Sequence, residues 1–306
     1  MPKFSLERTI SIKAPAASVF SNVKDFRNWV AWSPWILAEP MCRLEYAEDG
    51  RSYSWSGDII GAGKMEVLDV VENKEIHYRL SFLKPFKSVS SVSFYFDEGS
   101  GETNTRWTMS GSLPFFLFWM KRTMVAAISM DYDRGLRMLK DQVELGQVPS
   151  TLKFAGFETV EGFEYVGLSR DCKLSEISDR MGADMQQAAS ILSALGIEME
   201  GPPVCFYERF DMSEGTTRYR IALPVAAGTP CPEGLEKGTL GEIKAYAIHH
   251  TGAYRHLGNA WAAGMMHQRS KVFAGSKESP PFEVYRNDPC AVGEEELLST
   301  VYFPAK

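Results

Sequence analysis

Between Pro280 and Pro289 the chain reads Pro280-Pro281-Phe282-Glu283-Val284-Tyr285-Arg286-Asn287-Asp288-Pro289. This is the pattern of a short strand that stops at a turn. Side chains alternate along a strand, so Phe282 and Val284 face one way and Glu283 and Tyr285 the other. The apolar pair belongs to a core. The other face then carries a carboxylate beside a phenol. On a solvated sheet face that pair is ordinary, but on the wall of a groove it has two uses. A carboxylate among aromatic rings attracts a lipophilic cation through charge and through cation–π attraction. The same carboxylate can act as a general base on water, with a tyrosine as proton donor. Burying the acid unpaired costs several kcal/mol, so an empty groove would raise its pKa.

The stretch has an echo upstream, Pro202-Pro203-Val204-Cys205-Phe206-Tyr207. Pro-Pro, an apolar residue, a variable residue, an apolar residue and Tyr recur in the same order, and the segments from Arg218 and from Leu298 match in turn. Such a repeat marks a duplicated unit. The copies differ at the position that could do chemistry, where Cys205 stands opposite Glu283. An asymmetric site between two similar halves is expected. Its candidates are Glu283, Tyr285, Tyr254, Tyr207, Cys205 and Trp261; each of the three tyrosines suits core or rim as well as pocket, and Trp261 suits core as well. A reactive Cys205 would need a positive neighbour to lower its pKa, and none is near in sequence. His249 and His250 point to opposite faces of a strand, and no carboxylate stands at metal-ligand spacing from His256 or His267, so no metal is expected. Phosphate-loop and nucleophile-elbow motifs are missing, and no cofactor is expected.

The elements that must position these residues fall into two sets. The chain has 306 residues and a net charge of −6, with a pI near 5.5. That length suits two domains, and that charge argues against a nucleic-acid footprint. Five scattered cysteines without a C-x-x-C pair read as reduced cytosolic thiols. The longest apolar run, Leu113 to Trp119, is too short to span a bilayer and ends at Lys121-Arg122. The N-terminus lacks the apolar core of a signal peptide, so a cytoplasmic protein is expected.

In the first half, Phe4 to Lys13 alternates as a strand, and a short helix follows Pro15. Phe26, Trp29, Trp32 and Trp35 are too crowded for a surface loop and suit the end of a hydrophobic interior. From Cys42 to Gly111 short strands and turns succeed one another, with Asp49-Gly50 as a hairpin signal. After Pro114 the period becomes helical through Val143. One sheet followed by one long helix encloses space between them, and Trp55, Tyr78 and Trp107 are candidates for lining it or for plain core. This order, with Trp32-Ser33-Pro34-Trp35 and the stretches Gly63–Val67 and Phe82–Pro85, resembles the START-like, polyketide-cyclase-type (SRPBCC) helix-grip family over residues 1–149. The resemblance implies a cavity for an apolar ligand and is silent on chemistry.

Gly146 to Ser150 reads as a linker. Beyond it come a strand at Phe163–Leu168, a helix at Lys173–Leu195 closed by Gly196, and strands at Val204–Arg209 and Thr217–Leu223. Ala226–Gly238 is a connection. The unit then recurs as a strand at Ile243–His249, a helix at about Tyr254–Val272, and strands at Pro280 and at Leu298–Phe303. This duplicated strand–helix–strand–strand order, with His250-Thr251-Gly252-Ala253-Tyr254 and the Glu283 stretch, resembles the gyrase-inhibitor-like family over residues 155–306. That family includes the effector-binding domain of AraC-type and multidrug-responsive transcription regulators. The resemblance implies pseudo-two-fold symmetry, a groove that binds small molecules, and an acid on the late strand that falls on Glu283. It departs from the regulators in having no helix-turn-helix ahead of the domain, so no direct nucleic-acid partner is expected.

The sequence therefore reads as an α+β protein of two domains: an antiparallel helix-grip sheet with a long C-terminal helix, then a duplicated effector-binding domain. The function expected is binding or sensing of hydrophobic or cationic small molecules around Glu283, with an apolar ligand or partner in the first domain. Two alternatives stay open. One is a hydrolase that uses Glu283 and a tyrosine. The other is a regulator that binds a protein partner, as gyrase inhibitors do.

Overall fold

The computed structural model describes residues 3–112 and 115–306; Met1, Pro2 and the Leu113-Pro114 start of the apolar run lie outside the described residues. The chain divides into two compact units, Met1–Pro149 and Ser150–Lys306. It is α+β, built on two antiparallel sheets.

In the first unit, β1 (Lys3–Ile12) leads to the helices α1 (Ala16–Lys24) and α2 (Trp29–Trp32). Six strands follow: β2 (Arg43–Tyr46), β3 (Ser52–Ser56), β4 (Ala62–Val71), β5 (Glu75–Lys84), β6 (Ser88–Gly99) and β7 (Glu102–Ser112). They form one sheet in the order β1-β7-β6-β5-β4-β3-β2. Helix α3 (Lys121–Leu145) packs against β1 and ends at Gly146, whose φ of 77° places it in the left-handed region that closes helices. The crowded aromatics of the sequence form the core. Trp29, Trp32, Phe94, Trp107 and Tyr132 are all buried. Trp107 stacks on Tyr132 at 3.8 Å and on Phe94 at 4.8 Å.

The second unit starts one element earlier than expected. Residues read as linker and lead-in form β8 (Ser150–Val160), paired with β13 (Ile243–Gly252). The sequence concealed it because a bulge interrupts the alternation. The register slips between Ala247 and Ile248, opposite Gly156 at φ 83°. Next come β9 (Phe163–Lys173), α4 (Ile177–Ala194), β10 (Val204–Asp211), β11 (Thr216–Val225) and β12 (Glu236–Leu240). After β13 the chain forms α5 (Gly258–Arg269), β14 (Phe282–Tyr285) and β15 (Leu298–Pro304). Both helices are shorter than their apolar periods suggest. Lys173 is claimed by the sheet through pairing with Thr216, and Lys271 at φ 63° ends the second helical run early.

The sheet order is β12-β9-β11-β10-β14-β15-β13-β8. The two copies, β9-α4-β10-β11 and β13-α5-β14-β15, thus meet at their third elements. β10 and β14 pair antiparallel with Val204 opposite Val284, Cys205 opposite Glu283 and Phe206 opposite Phe282. Repeat-equivalent positions Cys205 and Glu283 therefore face each other on the pseudo-dyad.

Two contacts set the helices on the Glu283 face. Asp184 of α4 is buried and accepts hydrogen bonds from Tyr219 (2.6 Å) and from Arg170. On α5, Gly264 lies against the ring of Phe303, which a Cβ there would overlap. Phe303 has little freedom to move aside, because it is buried against Trp261 at 5.4 Å and Phe273 at 5.9 Å. Gly264→Ala gains about 1 kcal/mol of helix propensity but overpacks a filled contact, at roughly 1–3 kcal/mol. The overlap should win. Thermal melting of Gly264→Ala is expected to fall by several degrees, with α5 displaced from β15.

Candidate functional site

Glu283 is 2% exposed. Alternation on β14 turns it and Tyr285 toward the helices, while Phe282 and Val284 join the core of the other face. Its carboxylate accepts three hydrogen bonds. Tyr207 donates to Oε1 at 2.9 Å, Tyr285 donates to the same oxygen, and the Trp261 indole N–H donates to Oε2 at 2.7 Å. Tyr207 and Tyr285 are repeat-equivalent, so the duplication delivers two phenols to a single acid. Trp261 arrives from α5 and packs edge-on against Tyr207 at 4.5 Å. Tyr254, just before α5, lies edge-on to Tyr285 at 5.4 Å.

All three donors are neutral, and among the described residues no Lys, Arg or His forms an ion pair with Glu283. Burial pushes its pKa above the ordinary carboxylate range; the hydrogen bonds from Tyr285, Trp261 and Tyr207 act the other way without cancelling it. Burial, then the nearby Glu283 carboxylate, pushes the phenols of Tyr207 and Tyr285 well up. These phenols are proton-holding donors, not bases.

Cys205 also lies beside Glu283, but its side chain sits in the core with Ala188 and Leu192 of α4. Burial and the neighbouring carboxylate push its thiol well up, opposite to the shift a nucleophile needs. The structure thus brings Glu283, Tyr285, Tyr207, Trp261, Tyr254 and Cys205 together. Residues missed in the sequence join them. The Met181 sulfur of α4 lies 2.9 Å from the Tyr285 hydroxyl, whose one proton goes to Glu283, and Ser299 of β15 pairs with Tyr285 in register. Nothing local in the sequence marks Met181, whose helical period reads as core.

Other candidates lie elsewhere. Tyr78 and Trp107 are packed core side chains of the first unit, and Tyr78 donates to the Val23 carbonyl at 3.0 Å. Trp55 is half-buried beside Phe82, at 6.1 Å. Tyr78 and Trp107 belong to the buried aromatic core, while Trp55 packs at its margin with Phe82. His249 faces Glu158 and Thr300, while His250 bonds Ser150 on the opposite face. Among the described residues no three His, Cys, Asp or Glu side chains cluster at metal-binding separation. A cleft of about 400 Å³ opens on the other sheet face, lined by Tyr165, Phe206, Glu208, Arg220 and Pro280; Glu283 does not reach it.

Comparison with known proteins identifies the class. A family described as "GyrI-like small molecule binding domain" matches residues 156–306. One described as "Polyketide cyclase / dehydrase and lipid transport" matches residues 3–144. The protein joins an SRPBCC-type domain to a GyrI-like domain, and ligand binding is the role this class carries. No curated protein matches the chain. Among solved structures it is similar to protein MLL2253 of Mesorhizobium loti, at 19% identity over 47% of this chain and 98% of that one (TM-score 0.37). The Aha1 dimer from Colwellia psychrerythraea is 17% identical over 47% of this chain and 98% of its own, at TM-score 0.34. An EcmrR–DNA complex is 12% identical over 62% and 69%, at TM-score 0.43. Among the described residues no helix is long and apolar enough to cross a membrane.

The raised pKa of Glu283 has a defined pH signature. A carboxyl with its folded pKa above the unfolded value of about 4.3 is favoured protonated by the fold. Its contribution to stability is fully present below the unfolded value and is lost as pH rises through the folded pKa. Relative to wild type, Glu283→Gln should therefore gain melting temperature as pH rises from about 4 to 8, and differ least at the acid end. A wild-type-minus-variant difference flat across that range would contradict it.

Proposed function

We propose that the second unit binds hydrophobic small-molecule cations, with Glu283 as the counter-ion. One observation carries this reading. A fully buried carboxylate sits on the pseudo-dyad, ringed by Tyr207, Tyr285 and Trp261, with no basic partner among the described residues. A cation arriving there gains the charge attraction that the protein itself withholds. It also meets a cluster of aromatic rings, where a cation–π contact contributes about 0.5–2 kcal/mol. The same charge supplies selectivity, since a neutral ligand of equal shape gains no charge attraction from the carboxylate. The description of the family as small-molecule binding supports the general role; the cationic character rests on the geometry. Absence of a direct role on DNA is part of the same reading, supported by the net charge of −6.

A cation favours the ionised form of Glu283, so affinity is expected to weaken as pH falls through the raised pKa. The test is a thermal-shift series with tetraalkylammonium and arylalkylammonium ions and their neutral isosteres, on wild type and Glu283→Gln. At a hundred times its dissociation constant, a cation should stabilise wild type by about 2.7 kcal/mol. Neutral isosteres should shift it less, and Glu283→Gln should lose the difference. Equal shifts for charged and neutral compounds, or a variant that responds like wild type, would sink the proposal. Consumption of ester or strained-ring compounds, abolished in Glu283→Gln, would instead assign the acid to hydrolysis.

A further inference from the structure

The row of side chains next to Glu283 contains polar atoms that the fold leaves unmatched. Tyr285 pairs with Ser299 across β14–β15, and Ser299 pairs with His250 across β15–β13. Ser299 is 2% exposed and His250 1% exposed. The Ser299 hydroxyl, the His250 Nδ1 and the Tyr254 hydroxyl are all buried and without a hydrogen-bond partner among the described residues. These are neighbours, not scattered defects. Ser299 and His250 face each other across one strand pair, and Tyr254 packs on the Tyr285 ring that adjoins Ser299.

The rest of the row is satisfied. His250 Nε2 bonds the Ser150 hydroxyl at 3.1 Å, and Asn259 donates to that same oxygen at 3.2 Å. The imidazole is thereby held on one side and left with its Nδ1 unanswered. Burial, and then nearby His256, push its pKa down to about 4, so it is neutral near pH 7. A buried hydroxyl or ring nitrogen without a partner costs about 1–3 kcal/mol, and native proteins leave few such groups without a reason. Three together, beside a buried acid, imply a partner that the chain does not provide.

We infer that Tyr254, Ser299 and His250 form a polar subsite that receives a hydrogen-bonding group of the ligand, a carbonyl oxygen by preference. Two of the three are hydroxyls able to donate, which suits an acceptor. Two residues along the strand and one strand across place Ser299 roughly 8 Å from Glu283, backbone to backbone. The ligand class is therefore a hydrophobic cation that carries a carbonyl several ångströms from its charge. This inference rests on the reading of the Glu283 face as a ligand site.

Three probes separate the two ideas. Benzoylcholine has both charge and carbonyl. The (4-phenylbutyl)trimethylammonium ion keeps the charge without the carbonyl, and 3,3-dimethylbutyl benzoate keeps the carbonyl without the charge. Calorimetric titration of the full chain should find benzoylcholine about tenfold tighter than the phenylbutyl cation, as one hydrogen bond of about 1.4 kcal/mol gives. Tyr254→Phe and Ser299→Ala should each erase much of that ratio and leave the phenylbutyl cation unchanged. Without ligand, both variants should melt at or above the wild-type temperature, since each removes a group that folding had buried unpaired. The subsite is overturned if the carbonyl confers no advantage in wild type, including the case in which no probe binds. It is equally overturned if the advantage survives both substitutions, or if either ligand-free variant melts several degrees lower. Loss of the advantage of charge alone, with the carbonyl effect retained, would overturn the Glu283 reading and leave the subsite standing.

Discussion

A carboxylate removed from water must be paired, hydrogen-bonded or protonated, and Glu283 meets that constraint without a cation. Three neutral donors surround it, and its pKa stays raised because burial outweighs them. Much of the second unit serves this one group. Gly264 lets α5 come close enough for Trp261 to reach Oε2. Asp184, held by Arg170 and Tyr219, anchors α4 so that Met181 meets the Tyr285 hydroxyl. The hydrogen bonds fix where the carboxylate points, and the missing cation leaves its charge available.

Duplication explains how a fold can offer such a position. In a pseudo-symmetric sheet, the residues on the dyad are the only ones equally near to both halves. Cys205 and Glu283 are that pair. Had both been acids, two like charges would share one buried spot, and one would have to stay protonated. With Cys205 apolar in behaviour and Glu283 acidic, the symmetric tyrosines Tyr207 and Tyr285 both turn to one carboxylate. The cage is therefore built twice and charged once.

The first unit uses aromatic residues to another end. Trp29, Trp32, Phe94, Trp107 and Tyr132 pack into a core of tilted and stacked rings. Rings of this size bury large areas, and their offset and edge contacts add about 0.5–1.5 kcal/mol each. Around Glu283 the rings instead surround a polar centre. Aromatic content alone therefore does not distinguish a core from a cage. What distinguishes them is whether a group that prefers water lies in the middle.

By itself the sequence determined the α+β class and the duplication, and it nominated a two-part division and the acid at Glu283. Those properties are written in local alternation, helical period and repeat spacing, which depend on neighbours along the chain. Tyr207, Tyr285 and Trp261 could be nominated the same way, yet each suited core as well as pocket. Strand β8 stayed hidden because the bulge at Gly156 breaks the two-residue period on which such reading depends. Tertiary structure alone decided that Tyr78 and Trp107 pack as core, that Cys205 is walled in, and that Glu283 has three donors and no cation. It alone brought Ser299 and His250, far apart in sequence, into one row beside Tyr285. Burial and pairing are properties of strand order and helix approach, and no single segment encodes who its neighbours across the sheet will be.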